Sequence, residues 1–178
     1  TNLWASMADA FRGCQNLANY NATDVPDLSQ VSDMTNMFRF AETFNGDLSG
    51  WDVSNVTDMS DMFHTARVFE GIGLSGWDTG NVSNMFRMFY EAFAFNADLS
   101  GWDVTVMLNG AALSPNNYSA TLQGWATQVQ NNNGPSNVVL DAEFVYYCNT
   151  QLTQNARNLL LNNFGWTITD EGGTNMCN

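Results

Sequence analysis

The sequence predicts an α/β repeat fold: a short solenoid of about four coils of ~25 residues, closed by a C-terminal α/β cap. Three observations carry that expectation. First, an octapeptide recurs as Val31-Ser-Asp-Met34-Thr-Asn-Met37-Phe38, Val56-Thr-Asp-Met59-Ser-Asp-Met62-Phe63 and Val82-Ser-Asn-Met85-Phe-Arg-Met88-Phe89. Second, a Leu-Ser-Gly-Trp-Asp block recurs and ends at Asp52, Asp78 and Asp103. Third, the pattern stops near residue 110 and two stretches of helical periodicity follow. The chain therefore divides into a repeat region, residues 1–110, and a capping segment, residues 111–178.

Equivalent Phe residues lie 25 and 26 positions apart, and equivalent Trp residues 26 and 25. A period of this length with fixed apolar columns falls in the range of leucine-rich-repeat-like solenoids. One repeat cannot bury its apolar stripe alone, so stacking must turn Phe38, Phe63 and Phe89 into one column and Met37, Met62 and Met88 into another. Small residues (Ala41, Ala66, Ala92) and a second aromatic column (Phe44, Phe69, Phe95) follow at fixed intervals. A divergent first copy precedes these, with Met7, Phe11, Cys14 and Leu17 in register. Within each unit, Ser32, Thr57 and Ser83 read as N-caps. The spacing of Met59, Met62, Phe63 and Ala66 predicts a short α-helical or 3₁₀ segment. The stretch from Leu48 to Val53 reads as the extended side.

In the C-terminal segment, Ser114-Pro115 predicts a helix start, and Tyr118, Leu122, Trp125 and Val129 supply its apolar face. Val138–Leu140 reads as a strand, Thr150–Asn163 as a second helix stopped by Gly165, and Trp166–Thr169 as a last strand.

The repeat unit, Phe44-Asn-Gly-Asp-Leu-Ser-Gly-Trp-Asp-Val-Ser-Asn-Val-Thr-Asp-Met-Ser-Asp-Met-Phe63, resembles that of BspA-like leucine-rich-repeat surface proteins, over roughly residues 5–106. The tail, with Leu113-Ser-Pro-Asn-Asn-Tyr118 and Gly165-Trp-Thr-Ile-Thr-Asp170, resembles the flank that follows such arrays. The resemblance implies a secreted or cell-surface location and an adhesion or binding role, and it brings no catalytic residues with it. A protein, peptide or glycan would be the partner.

Charge and composition narrow the chemistry. The net charge is −13, and all five cations are Arg, with no Lys. Clustered cations for a phosphate backbone or an anionic membrane surface are missing, which argues against both partners. No apolar run is long enough to cross a bilayer. A hydrophobic content of 44% is too high for a disordered acidic tail. The lone His64 occupies a column that holds Arg39 and Tyr90 in neighbouring repeats, a variable position expected at the surface. No nucleophile–base arrangement assembles without it, and no phosphate-binding or zinc-spacing motif is present, so the expectation is a non-enzyme. Asp58 and Asp61 read as a solvated face at a helix start.

Binding is expected where repeats differ. Three columns vary: Arg39, His64, Tyr90; then Phe40, Thr65, Glu91; then Glu42, Arg67, Phe93. From these, Arg39, Phe40, His64, Arg67, Tyr90 and Phe93 form the candidate binding set, because aromatic residues at positions expected in solvent mark partner sites. The Trp51, Trp77 and Trp102 column could stack sugars, but its invariance predicts packing. Asp52, Asp78 and Asp103, with Asp27 as a fourth, recur at one corner; they read as turn caps, with a calcium site as the alternative and no other cofactor. Cys14, in the column of Ala41, is expected to be a buried thiol, and Cys148 and Cys177 to form a disulfide. The alternative to a binding module is a structural spacer or a self-associating surface-layer or fibre subunit, since open repeat ends invite association.

Overall fold

The computed structural model describes residues 4–19, 24–102, 113–132, 138–142 and 145–177. It corrects the predicted fold class. The chain does not form a leucine-rich-repeat-like α/β solenoid of four coils. Among the described residues its regular structure is two α-helices and four short strands, all C-terminal to residue 113. The described part of residues 4–102 holds only a 3₁₀ turn, Leu74–Gly76, and isolated parallel bridges, Ser6 with Asp33, Asp33 with Asp58, and Asp58 with Asn84.

Hydrogen bonding explains why the predicted short helix is absent. In an α-helix the Phe63 N–H would return to the Met59 carbonyl. It donates instead to the Met88 carbonyl in the next repeat, at 2.9 Å. The residues between make turn bonds of the i to i−3 kind: Met62 N–H to Met59 at 3.2 Å, His64 to Asp61 at 3.1 Å and Ala66 to Phe63 at 3.0 Å. Asp61 (φ 55°) and Thr65 (φ 61°) are left-handed, which a right-handed helix does not accommodate. The same two positions are left-handed in the other repeats: Asp9, Asn36 and Arg87 in one column, Gly13, Phe40 and Glu91 in the other. A run of turns puts i, i+3, i+4 and i+7 on one side as a helix does, so the apolar spacing fits either conformation. The Leu48–Val53 stretch is likewise no strand; it turns, with the Trp51 N–H on the Leu48 carbonyl at 3.1 Å.

The repeats are bonded to one another as tiers of turns. N–H groups at alternate residues donate to the next tier: Met34 to Asp58, Asn36 to Ser60, Phe38 to Met62 and Phe40 to His64, all within 2.8–3.0 Å. Met7, Asp9, Phe11 and Gly13 do the same one tier earlier, and Met59, Asp61, Phe63 and Thr65 one tier later. Backbone donors that a helix would satisfy locally are thus satisfied by residues a full repeat away.

Side chains follow this register. Phe11, Phe38, Phe63 and Phe89 form a stacked column with ring centroids 5.3, 5.5 and 5.8 Å apart. The Phe44, Phe69, Phe95 column packs beside it, with Phe63 and Phe69 4.1 Å apart. Apart from Phe11, all these rings are buried, as are Met37, Met62 and Met88. Trp77 and Trp102 stack at 6.1 Å with their indole N–H groups on the carbonyls of Leu48 (3.2 Å) and Leu74 (2.7 Å). The Trp column is therefore packing and carries no exposed platform.

The C-terminal unit is built differently. Helix α1, Pro115–Asn132, starts at Ser114, whose Oγ accepts the Asn117 N–H at 3.3 Å. Strand β1, Val139–Asp141, pairs in parallel with β3, Thr167–Thr169, and β2, Tyr147–Cys148, with β4, Gly173–Thr174. Between them α2, Gln151–Asn163, is capped by Thr150, which accepts the Thr153 N–H at 3.2 Å. α1 rests on the last tier. The Trp125 indole donates to the Trp102 carbonyl (3.2 Å), Gln128 to Ser100 (2.9 Å), and the Leu99 N–H to the Thr121 hydroxyl (3.3 Å). Gly124 permits this approach, since a Cβ there would lie 2.4 Å from the Ser100 Cβ. A buried cluster locks the unit: Arg157 makes a two-point contact with Asp170, 3.0 Å for each bond, and the Tyr118 hydroxyl donates to the same carboxylate at 3.0 Å. Burial, and then the charge of Asp170, push the Tyr118 phenol well above its ordinary range. The predicted boundary at 110/111 falls outside the described residues.

Candidate functional site

The variable columns lie along one run of turns, but they are not equally exposed. His64 corrects the expectation of a surface residue: it is 8% exposed. Its Nδ1 lies 2.5 Å from Asp61 Oδ1, and its ring sits between Phe40 (5.6 Å) and Tyr90 (5.0 Å) of the flanking tiers. A variable column between stacked tiers is covered by its neighbours above and below, which is why variation did not imply exposure. Thr65 is buried beside it. Arg39 is half-buried; its Nη1 lies 3.0 Å from Asn36 Oδ1 and 3.7 Å from Asp61 Oδ1, and its guanidinium 5.0 Å from the Phe40 ring. Arg39, Phe40, His64 and Asp61 thus form a half-buried seam, with His64 its most covered member.

The exposed part of the face is toward the last tiers. Arg67 pairs with Glu42 across a tier junction at 3.4 Å and lies 5.6 Å from the Phe93 ring, itself 60% exposed. Two residues missed by the sequence reading join it. Phe86 is 43% exposed, and Arg87 lies 4.8 Å from the Phe86 ring and 5.5 Å from the half-buried Tyr90 ring. A signal was there to find: where the earlier copies carry Thr35-Asn36 and Ser60-Asp61, the last one carries Phe86-Arg87. Arg67 with Phe93, and Arg87 with Phe86 and Tyr90, make two Arg–aromatic groups in the last tiers, in a chain otherwise rich in acid.

The aspartate corner is occupied by turn bonds. Asp27 Oδ1 accepts the Ser29 N–H, Asp52 Oδ1 the Ser54 N–H and Asp78 Oδ1 the Gly80 N–H, each at 3.1 Å. The Ser29 and Ser54 side-chain and backbone hydrogen bonds hold the Asp27 and Asp52 carboxyls below the usual range. Asp103 lies outside the described residues. Among the described residues no group of three His, Cys, Asp or Glu is gathered to hold a metal ion. In the next column Asp58 accepts from Ser60 N–H (2.8 Å), Ser60 Oγ (2.6 Å) and Asn84 Nδ2 (2.9 Å). Burial pushes the Asp58 carboxyl up, but bonds from Ser60, Asn84 and Thr35 outweigh it and hold the group below its ordinary value.

Cys148 and Cys177 are joined in a disulfide. Cys14 corrects the expectation of a buried thiol: it is free and exposed. Its equivalents Ala41 and Ala66 have a tier on both sides and Ala92 lies in the tier on which α1 rests, whereas the tier of Cys14 is the first described. An open cleft of about 540 Å³ lies elsewhere, lined by Glu70, Ile72, Ser75, Asn96 and Asp98 among others. No helix among the described residues is long and apolar enough to cross a membrane.

No curated protein and no solved structure matches the chain. Residues 5–129 match the family described as "Mycoplasma protein of unknown function, DUF285", a stretch that takes in the tiers and nearly all of α1. The chain belongs to that family.

Proposed function

We propose that the protein is a non-catalytic binding module, secreted or displayed at a cell surface, that contacts a protein, peptide or glycan through the variable positions of its repeats. One observation carries the reading: Arg67 lies by the exposed ring of Phe93, and Arg87 by the exposed ring of Phe86 and the half-buried ring of Tyr90, while the invariant columns of the same repeats are consumed by packing. Exposed aromatic and Arg residues set in a rigid frame are what protein and glycan recognition uses. The resemblance to BspA-like surface proteins and the disulfide agree with an extracellular setting. Arg39 and Phe40 are half-buried and His64 is covered, so the more exposed Arg67 and Phe93 are the residues expected to make most of the contact.

A glycan and protein array probed with the wild-type chain and with Arg67→Ala/Phe93→Ala tests this. The expected result is a ligand retained by the wild type and lost by the variant, with both melting alike. A silent array, together with light scattering that rises with concentration, favours the self-associating structural subunit instead.

A further inference from the structure

Three tiers share one side-chain pair on the turn face. The residue at the first left-handed position meets the side chain three residues on. Asp9 Oδ1 accepts from Arg12 Nη1 at 3.1 Å, Asn36 Oδ1 accepts from Arg39 Nη1 at 3.0 Å, and Asp61 Oδ1 lies 2.5 Å from His64 Nδ1. The fourth tier reverses the pair. Arg87 (φ 52°) stands where the others hold the acceptor, and Tyr90 where they hold the nitrogen. Ring contacts replace the bond: the guanidinium lies 5.5 Å from the Tyr90 ring and 4.8 Å from that of Phe86. Arg12, Arg39, Arg67 and Arg157 each pair with a carboxylate at 3.0–3.7 Å, whereas Arg87 pairs with none among the described residues. The acids that flank it are engaged elsewhere, Asp61 with His64, and Glu91 with the Thr65 hydroxyl at 3.3 Å.

We propose that Arg87 is the recognition point for the carboxylate of an acidic sugar, with the exposed Phe86 ring taking the apolar face of that sugar. The inference rests on the binding reading above and names the ligand class at one of its two Arg–aromatic groups. The backbone that carries the group is fixed. The Phe86 N–H donates to Asn84 Oδ1 at 3.1 Å, the Phe86 carbonyl accepts from Asp61 at 2.8 Å, and the Tyr90 carbonyl accepts from Thr65 at 2.7 Å. A guanidinium laid against rings keeps its planar fork of N–H donors, which matches a carboxylate at two points. A net charge of −13 repels a ligand that carries many acids and tolerates a lone carboxylate on a neutral body. A sugar acid is such a body. Its carboxylate sits on a rigid ring whose polarised C–H groups suit the negative face of an aromatic side chain.

The test is an array of carboxylated oligosaccharides, each beside its methyl ester, with acidic peptides as a further set, probed with the wild type and with Arg87→Asn. Asparagine already holds this position in the second tier, at Asn36 (φ 56°), so the variant should melt with the wild type. The wild type should retain the acids about tenfold or more over their esters, and Arg87→Asn should erase that preference. Equal retention of acid and ester, or a preference that survives Arg87→Asn, overturns the inference. So does Arg87-dependent binding confined to the acidic peptides. If Arg87→Asn does not fold, modification of Arg87 by phenylglyoxal in the wild type decides. Protection by the array's carboxylated oligosaccharides and not by their esters supports the inference, and equal modification with both overturns it. Ligands without a carboxylate that the wild type retains and Arg67→Ala/Phe93→Ala loses would leave the binding reading standing and remove this inference alone. A silent array removes both.

Discussion

The tiers and the C-terminal unit solve one problem in opposite ways. Every backbone donor taken out of water needs a partner. The C-terminal unit finds partners locally, in α1 and α2, and adds a disulfide and a buried Arg157–Asp170 pair. The tiers find them about 25 residues away, with almost no regular local structure, so each repeat is held by its neighbours. The difference teaches where stability should be lost when each region is disturbed. In the tiers it should spread along columns, and in the C-terminal unit it should stay near the crosslink.

The largest effect is expected at the centre of the Phe column. Phe63 lies 5.5 Å from Phe38, 5.8 Å from Phe89 and 4.1 Å from Phe69, and is fully buried. Phe63→Ala should cost about 3–5 kcal/mol in urea denaturation, as a core truncation that neighbours on both sides cannot fill. Hydrogen exchange should show the loss in the tiers on either side. A cost below about 1 kcal/mol would mean that the column is not what holds the tiers together.

Reducing Cys148–Cys177, which spans 29 residues, comes next. The chain-entropy model gives about 3–4 kcal/mol for a loop of that size. The loss should fall on α2 and β4 and leave exchange at Phe38 and Phe63 unchanged. Equal losses in both regions would erase the contrast between them.

The two regions should also fail at opposite ends of the pH scale. The Asp58 carboxyl is held below its ordinary value of 3.8, so the folded tiers bind fewer protons there than the unfolded chain. Its contribution is complete above that value and is lost as pH falls through the depressed folded one. The Tyr118 phenol is raised well above 10.0, so its contribution is complete below pH 10.0 and is lost as pH climbs towards the folded value. Asp58→Asn should flatten the acid limb of the melting curve and leave the alkaline limb alone. Acid and alkaline unfolding that start in the same region, followed by exchange, would contradict this.

The columns were legible in the sequence because burial depends on which residues share a side, and the period fixes that. Phe38, Phe63, Phe89, Trp77 and Trp102 are buried for that reason. Their backbone was not legible, since a run of turns and a short helix present the same side. The left-handed positions that decide between them are held by Asp61 and Asn36, which tolerate that conformation, but also by Phe40 and Arg87, which carry no such mark. The candidate site was legible only in part. Column variation pointed to Arg67 and Phe93, which are exposed, and also to His64, whose exposure was misjudged because stacked neighbours cover it. Phe86 and Arg87 were overlooked because they stand inside a motif read as invariant.

The smallest expected effect probes what joins the tiers on the side away from the turn face. There the Asn81 Nδ2 donates to the Ser54 carbonyl at 2.7 Å, and the Asn55 Nδ2 to the Ser29 carbonyl at 3.3 Å. Both side chains are exposed, so water replaces the bond when either is removed, and the carbonyl left behind is not stranded. Asn81→Ala should therefore cost about 0.5–1 kcal/mol, with the shorter Asn81 bond the more costly of the two to lose. A double-mutant cycle of Asn81→Ala with Phe63→Ala measures whether the ladder and the ring column act together. If tiers are held as units, the two losses should not add, because loosening either side of a tier relaxes the other. Additive losses would mean that the two sides are held separately, and that only the ring column makes the array cooperative.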